Sequence, residues 1–127
     1  MKAVAVFRAG PDYVVELAAE ADVRGAKPDM ARLGQVDARG IAVTAPASLP
    51  GYDIASRFFA PAAGIPEDPV TGSLHCALAR LWSARLAKPD LTAYQASARG
   101  GTLRLRVAGD RVLISGQAVT IFRADLL

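Results

Sequence analysis

Residues 58–78 read FFAPAAGIPEDPVTGSLHCAL, and this stretch predicts a strand, an acidic loop and the start of a helix in direct succession. The strand pattern ends at Ala60, prolines and a glycine interrupt the loop, and an apolar helical pattern begins at residues 71–73. The first N–H groups of a helix lack partners within it and lie at the positive end of its dipole, so they favour a carboxylate or phosphate ligand. Gly72 lets such a ligand approach the backbone closely. We therefore expect the chemistry of this protein to reside here.

The composition is that of one soluble globular domain, which we expect to span residues 1–127. The chain has 127 residues, of which 52% are hydrophobic and 21% charged, and this balance is typical of globular proteins. No apolar run approaches the roughly 20 residues that cross a bilayer, so no membrane association is expected. Residues 1–8 have too short an apolar core for a signal peptide and predict a strand instead. Cytoplasmic localisation is the default expectation.

The counts of cysteine and histidine and the distribution of charge exclude several classes of function. The sequence has one cysteine and one histidine, so it predicts neither an internal disulfide nor a metal site built from protein ligands. The formal net charge of +3 comes from 15 basic and 12 acidic residues, and the arginines are scattered rather than clustered. Nucleic acid is therefore not an expected partner.

The remaining patterns predict an α+β fold. Alternating apolar and polar residues predict strands, and these fall at residues 2–8, 13–18, 40–45, 52–60, 91–97, 102–107, 111–115 and 117–122. A short helix is expected over residues 27–33, with Pro28 in its first turn. The helix from Ser73 to about Leu86 is apolar on most sides, which predicts burial all round. We expect a strongly curved, mostly antiparallel sheet or barrel wrapped round this central helix.

Three segments carry a resemblance to a known family. Residues 57–78, residues 91–101 (LTAYQASARGG) and residues 115–119 (SGQAV) resemble the phenazine biosynthesis PhzF-like proteins. The resemblance implies a fold like that of diaminopimelate epimerase, with two pseudo-equivalent domains and the active site in the cleft between them. It also implies a cofactor-independent isomerase that moves a proton on a small carboxylated substrate. The resemblance covers the C-terminal domain only and implies that the family's catalytic glutamate, which belongs to the N-terminal domain, has no counterpart here.

The resemblance also assigns roles to individual residues. Asp68 matches the acidic residue of the family's Asp-x-x-x-Gly-Ser pattern and would assist proton transfer or hold a polar substrate group. Gly72 and Ser73 match the pair that would bind the substrate carboxylate, with Thr71 beside them as a further substrate-binding candidate. Ser73 is also a candidate catalytic residue, with Asp68 and His75. Related epimerases carry a catalytic cysteine at the position of Thr71, and a threonine hydroxyl is too weak an acid to replace a thiol. Thiol-based racemisation is therefore not expected.

Each candidate also has a purely structural interpretation. Asp68 and Glu67 would stabilise a helix N-terminus by about 0.3–1 kcal/mol each, and Glu67 is either such a residue or a substrate contact. Ser73 suits an N-cap, a role compatible with carboxylate binding. His75 is either a hydrogen-bonded core residue or a catalytic acid or base. Cys76 is expected to be a packing residue.

Two hypotheses about function follow. In the first, the chain is one lobe of a PhzF-like isomerase, and a separate N-terminal lobe chain or a second copy completes the cleft. In the second, it is a non-catalytic anion-binding or assembly module, a truncated relic of the enzyme. Both predict self-association, because the face that a partner domain covers would be exposed and apolar.

Overall fold

The computed structural model describes residues 2–126 and contains one eight-stranded sheet with helices on both faces. The strands are β1 (Ala3–Ala9), β2 (Asp12–Leu17), β3 (Gly40–Pro46), β4 (Ile54–Ala60), β5 (Ile65–Asp68), β6 (Asp90–Gln95), β7 (Gly101–Ala108) and β8 (Arg111–Ser115). The helices are α1 (Glu20–Gly25), α2 (Met30–Leu33) and α3 (Gly72–Leu86), and a 3₁₀ turn covers Pro61–Ala63. The predicted α+β class is confirmed.

The strand order is β1-β2-β3-β4-β6-β7-β8, with β5 pairing β4 beside this path. Two pairings are parallel, β2 with β3 and β4 with β6, and the others are antiparallel, as predicted. Within residues 2–126, β1 and β8 are at the two ends of this order and do not pair with each other. Of the two predicted forms, a curved sheet and a barrel, the chain therefore has an open sheet. A parallel neighbour requires a crossover, and α3 supplies the one between β4 and β6.

Helix α3 packs one stripe against the sheet. Leu74, Leu78, Ala79 and Trp82 are buried at helical spacing, among side chains from β2, β3, β4, β6 and β7. The opposite stripe is exposed and includes Cys76 and Arg80. The predictions that α3 is buried all round and that Cys76 is a packing residue are therefore wrong, because an open sheet covers only one side of the helix.

The other face of the sheet is covered by α1 and α2. Val23 and Ala26 of the α1 segment lie in a second buried cluster with Leu17 and Phe59. The predicted short helix is confirmed only over α2, which begins after Asp29 and leaves Pro28 outside. The sequence did not predict α1, because six residues are too few to display a helical period.

Two other segments differ from the prediction. The acidic loop contains strand β5, which pairs Asp68 with Phe58 and Ile65 with Ala60 and so holds Asp68 against the sheet. Residues 117–122 form no strand, and Val119, Ile121 and Phe122 are 79–84% exposed. Alternation alone does not make a strand where no neighbouring strand pairs with it. Among the described residues, no helix is long and apolar enough to cross a membrane.

Candidate anion-binding site

The N-terminus of α3 opens onto a cavity of about 270 Å³. Thr71 is the N-cap residue, but its side chain does not cap the helix, since its hydroxyl donates to Asp68 Oδ2 instead. Gly72 and Ser73 follow and are exposed at the cavity wall. The first N–H groups of a helix have no partner within it, so those of Gly72 and Ser73 are suited to an anionic ligand.

Gln95 on β6 holds the acidic loop in place. Its side chain is fully buried and donates through Nε2 to the Asp68 carbonyl at 2.7 Å and to Thr71 Oγ1 at 3.1 Å. In return its Oε1 accepts the Thr71 N–H at 2.7 Å. A buried amide with both ends satisfied gives the loop one geometry. Asp68 and the start of α3 are thereby fixed relative to each other.

The segment after β6 also holds the acidic loop. Ser97 donates through its hydroxyl to the Pro69 carbonyl at 2.8 Å and accepts the Gly100 N–H at 3.1 Å. A Cβ on Gly101 would lie 2.2 Å from Val70 Cγ2, so only glycine lets β7 pack this close to the cavity wall. These contacts tie residues 97–101 to the acidic loop.

Arg39, which the sequence did not single out, reaches Ser73 from the start of β3. Its Nη2 donates to Ser73 Oγ at 3.0 Å. The same guanidinium donates to both carboxylate oxygens of Asp12, at 2.9 Å from Nε and 2.5 Å from Nη2. These bonds raise the pKa of the Arg39 guanidinium, so it stays cationic beside the cavity.

His75 is fully buried one turn into α3. Its Nδ1 lies 2.7 Å from the Thr71 carbonyl oxygen, and its Nε2 lies 3.3 Å from Ser56 Oγ. A neutral ring satisfies both contacts by donating from Nδ1 and accepting at Nε2. Both nitrogens are therefore engaged away from the cavity. A catalytic role for His75 stays a prediction, and the geometry supports a role in fixing the start of α3.

The burial of His75 makes stability depend on pH. Burial lowers the pKa of the His75 ring, and its hydrogen bond to the Thr71 carbonyl opposes this only in part. The unfolded chain then takes up a proton below about pH 6.5 that the folded chain does not, so stability falls as pH falls through that value. We therefore expect the free energy of unfolding to fall between pH 7 and 5.5, measured by urea denaturation. His75→Gln should remove this slope, since the chain has one histidine, and equal slopes in both proteins would contradict the assignment.

Glu67 points away from the cavity. Its carboxylate accepts two hydrogen bonds from Arg57, from Nε at 2.7 Å and from Nη2 at 2.9 Å. Arg57 in turn donates to the carbonyl oxygens at the end of α1, with the Ala26 oxygen at 2.8 Å. This arrangement joins the acidic loop to α1. Asp68 lines the cavity and Glu67 does not. The substrate contact predicted for Glu67 stays a prediction.

The site thus brings together four of the six predicted residues and adds others. The cavity wall contains Asp68, Thr71, Gly72 and Ser73, together with Arg39. It combines free helix N–H groups and a hydroxyl donor with one carboxylate, which suits a small ligand carrying an anionic group and a polar or protonated group. Among residues 2–126, no group of three or more histidine, cysteine or acidic side chains is placed to hold a metal ion.

Fold and site together define an α+β domain with a candidate anion-binding site at a helix start, and comparison with known proteins gives its family. The model of the phenazine biosynthesis-like protein family (PhzC-PhzF) matches residues 2–124. This chain therefore belongs to the PhzF-like family, as its motifs predicted.

Individual relatives agree with this. The chain is 47% identical over 116 residues to an uncharacterized isomerase of Halalkalibacterium halodurans, covering 91% of this chain and 44% of that protein. It is 51% identical over 108 residues to an uncharacterized isomerase of Pseudomonas aeruginosa, covering 85% and 41%. The crystal structure of a putative phenazine biosynthesis PhzC/PhzF protein from Clostridium difficile matches with a TM-score of 0.89 and 38% identity, over 99% of this chain and 48% of that one. The chain thus spans less than half the length of these relatives.

Proposed function

We propose that this chain is the substrate-anchoring lobe of a cofactor-independent PhzF-like isomerase that shifts a proton on a small carboxylated substrate. The observation that carries the proposal is the cavity at the start of α3, which Gly72 and Ser73, the first two residues of the helix, line together with Asp68. Membership in a family whose relatives include proteins named isomerases supports the reaction class.

The proposed division of labour follows from the groups present. The Gly72 and Ser73 N–H groups and the Ser73 hydroxyl bind the substrate carboxylate, and negative charge that develops there during proton removal is stabilised by the helix dipole. Asp68 binds a polar substrate group or passes a proton. General base catalysis needs a group within hydrogen-bond reach of the proton that is removed. We assign that group to a second lobe, from another chain or a second copy, which wraps the cavity and the exposed face of α3.

Carboxylate binding tests the anchoring role. We expect benzoate to shift the backbone amide signals of Gly72 and Ser73 in an NMR titration of the purified chain. Ser73→Ala should weaken the affinity about tenfold or more, because a hydrogen bond to a charged group is worth about 1.5–3 kcal/mol. Ser83→Ala, on the same helix near its far end, is the matched control and should leave the affinity unchanged. No saturable shift at Gly72 or Ser73 would contradict the proposal.

Proton exchange separates the isomerase lobe from the alternative, a binding module. The chain alone is expected to incorporate no solvent deuterium into small carboxylated substrates, whereas the chain with its second lobe is expected to do so. Exchange by the chain alone that Asp68→Ala abolishes would overturn the need for a second lobe. Carboxylate binding without exchange in the reconstituted pair would favour the binding module.

A further inference from the structure

Arg39 has a geometry that a simple surface ion pair does not require. Its side chain is 42% exposed, yet it is held from three directions. Asp12, only 3% exposed, accepts two of its hydrogen bonds. The Phe58 ring lies beneath its guanidinium carbon, 5.8 Å from the ring centroid. The third contact is Ser73 Oγ.

The backbone fixes the origin of the Arg39 side chain as well. The Arg39 N–H donates to the Pro11 carbonyl at 2.8 Å, and the parallel pairing of β2 with β3 places Asp12 opposite Gly40. A Cβ on Gly40 would lie 2.2 Å from Phe58 Cζ, so glycine here lets the ring pass beneath the guanidinium. Fixing a long arginine side chain costs rotamer entropy. Here the fixed side chain lies at the wall of the cavity.

The bond from Arg39 decides what the Ser73 hydroxyl can do. A serine hydroxyl has one hydrogen to donate and two lone pairs that accept. Arg39 carries only donors, so it occupies a lone pair of Ser73 Oγ and leaves the hydroxyl hydrogen free for another partner. Ser73 lines the cavity, so a ligand bound there can supply the acceptor. A ligand carboxylate then meets a hydroxyl that is already oriented as a donor and is polarised by a cation.

We propose that Arg39, anchored by Asp12, is a positioning residue that orients the Ser73 hydroxyl as a donor to the substrate carboxylate. This inference rests on the proposed function, since the carboxylate is the ligand assigned to that site. Arg39 acts through Ser73, and its cationic charge adds attraction for the anion. Lysine at this position would keep the charge but could not bond Asp12 through two nitrogens while also reaching Ser73.

The test compares Arg39→Lys with a matched control, Arg85→Lys. Arg85 is also 42% exposed, and its Nη2 lies 2.7 Å from the buried Glu16 Oε2. Glu16 lies on β2, as Asp12 does, but Arg85 lies at the end of α3 that is far from the cavity. Two quantities are measured: the side-chain rotamer of Ser73, from its Hα–Hβ coupling constants without ligand, and benzoate affinity, from the amide titration. Urea denaturation checks that each variant is folded. If Arg39→Lys does not fold, Arg39→Met replaces it in the test.

We expect Ser73 to hold a single rotamer in the parent chain and in Arg85→Lys, and averaged rotamers in Arg39→Lys. Benzoate affinity should fall about five- to tenfold in Arg39→Lys, but less than twofold when the same change is made in a Ser73→Ala background. An unchanged Ser73 rotamer overturns the proposal, and so does an equal loss of affinity in both backgrounds. If the rotamer averages as expected but the parent chain binds no benzoate, the orienting role of Arg39 stands and the proposed function fails.

Discussion

Replacing Trp82 by alanine is expected to lower the free energy of unfolding by about 3–5 kcal/mol. Trp82 is 2% exposed and fills the space between α3 and the sheet. Its indole Nε1–H also donates to Thr44 Oγ1 on β3 at 3.1 Å. The substitution removes a large buried surface and leaves a cavity that the sheet cannot close completely.

Urea denaturation followed by circular dichroism measures this effect. Trp82→Phe keeps most of the packing and loses the hydrogen bond, so about 1–2 kcal/mol is expected. Leu86→Ala, at a position that is 39% exposed on the same helix, should cost well under half as much as Trp82→Ala. Equal losses for Trp82→Ala and Leu86→Ala would contradict the packing of α3 and, with it, the position of the site at its N-terminus.

Glu20→Ala is expected to cost about 2–4 kcal/mol, an unusually large effect for an acidic residue. The Glu20 side chain is 3% exposed and joins α1 to the loop after β3. Its Oε2 accepts the Ser48 N–H at 2.6 Å, the Ser48 hydroxyl at 2.9 Å and the Leu49 N–H at 3.1 Å, and its Oε1 accepts from Arg24. Alanine would leave the backbone N–H groups of that loop without these acceptors. Asp22→Ala, on the same helix, is the matched control and should cost less than about 1 kcal/mol.

The same contacts predict an acid transition. Burial raises the pKa of the Glu20 carboxyl, but the hydrogen bonds from Ser48, Arg24 and Leu49 outweigh it and bring the pKa down to about 2, from 4.5 in the unfolded chain. A lowered pKa stabilises the fold above pH 4.5, and that stability is lost as pH falls from 4.5 towards 2. Glu20→Gln should reduce the loss of stability in this window. A parent and variant with parallel acid denaturation curves would contradict the assignment.

Local signals in the sequence predicted one side of the site well. The strand ending at Ala60, the proline-rich acidic loop and the helix beginning at residues 71–73 are encoded by residues close together in the chain, and proline, glycine and apolar spacing act at that range. Asp68, Gly72 and Ser73 therefore lie together as the motif predicted.

The other side of the site depends on strand pairing and was missed. Arg39 meets Ser73 across 34 residues, and Gln95 meets Thr71 across 24. Arg39 lies in a charged, turn-like segment that suggests a solvated surface, and nothing local marks Gln95 as buried. Glycine at position 40 was the one available signal, since a glycine that opens a strand indicates a close approach by another group. That group is Phe58.

The errors about burial have the same origin. The apolar composition of α3 predicted burial on all sides, but which side is covered depends on where the sheet ends. Cys76 lies on the stripe that the described chain leaves uncovered, and the apolar side chains of residues 117–122 are exposed as well. In our proposal, a second lobe covers such surfaces.

A crystal structure of this chain grown with benzoate would show whether the start of α3 binds a carboxylate. We expect the benzoate carboxylate at the start of α3, with its oxygens at hydrogen-bond distance from the N–H groups of Gly72 and Ser73 and from Ser73 Oγ, and with Arg39 still bonded to Ser73. Benzoate bound elsewhere on the domain, with the start of α3 occupied only by water, would contradict this expectation.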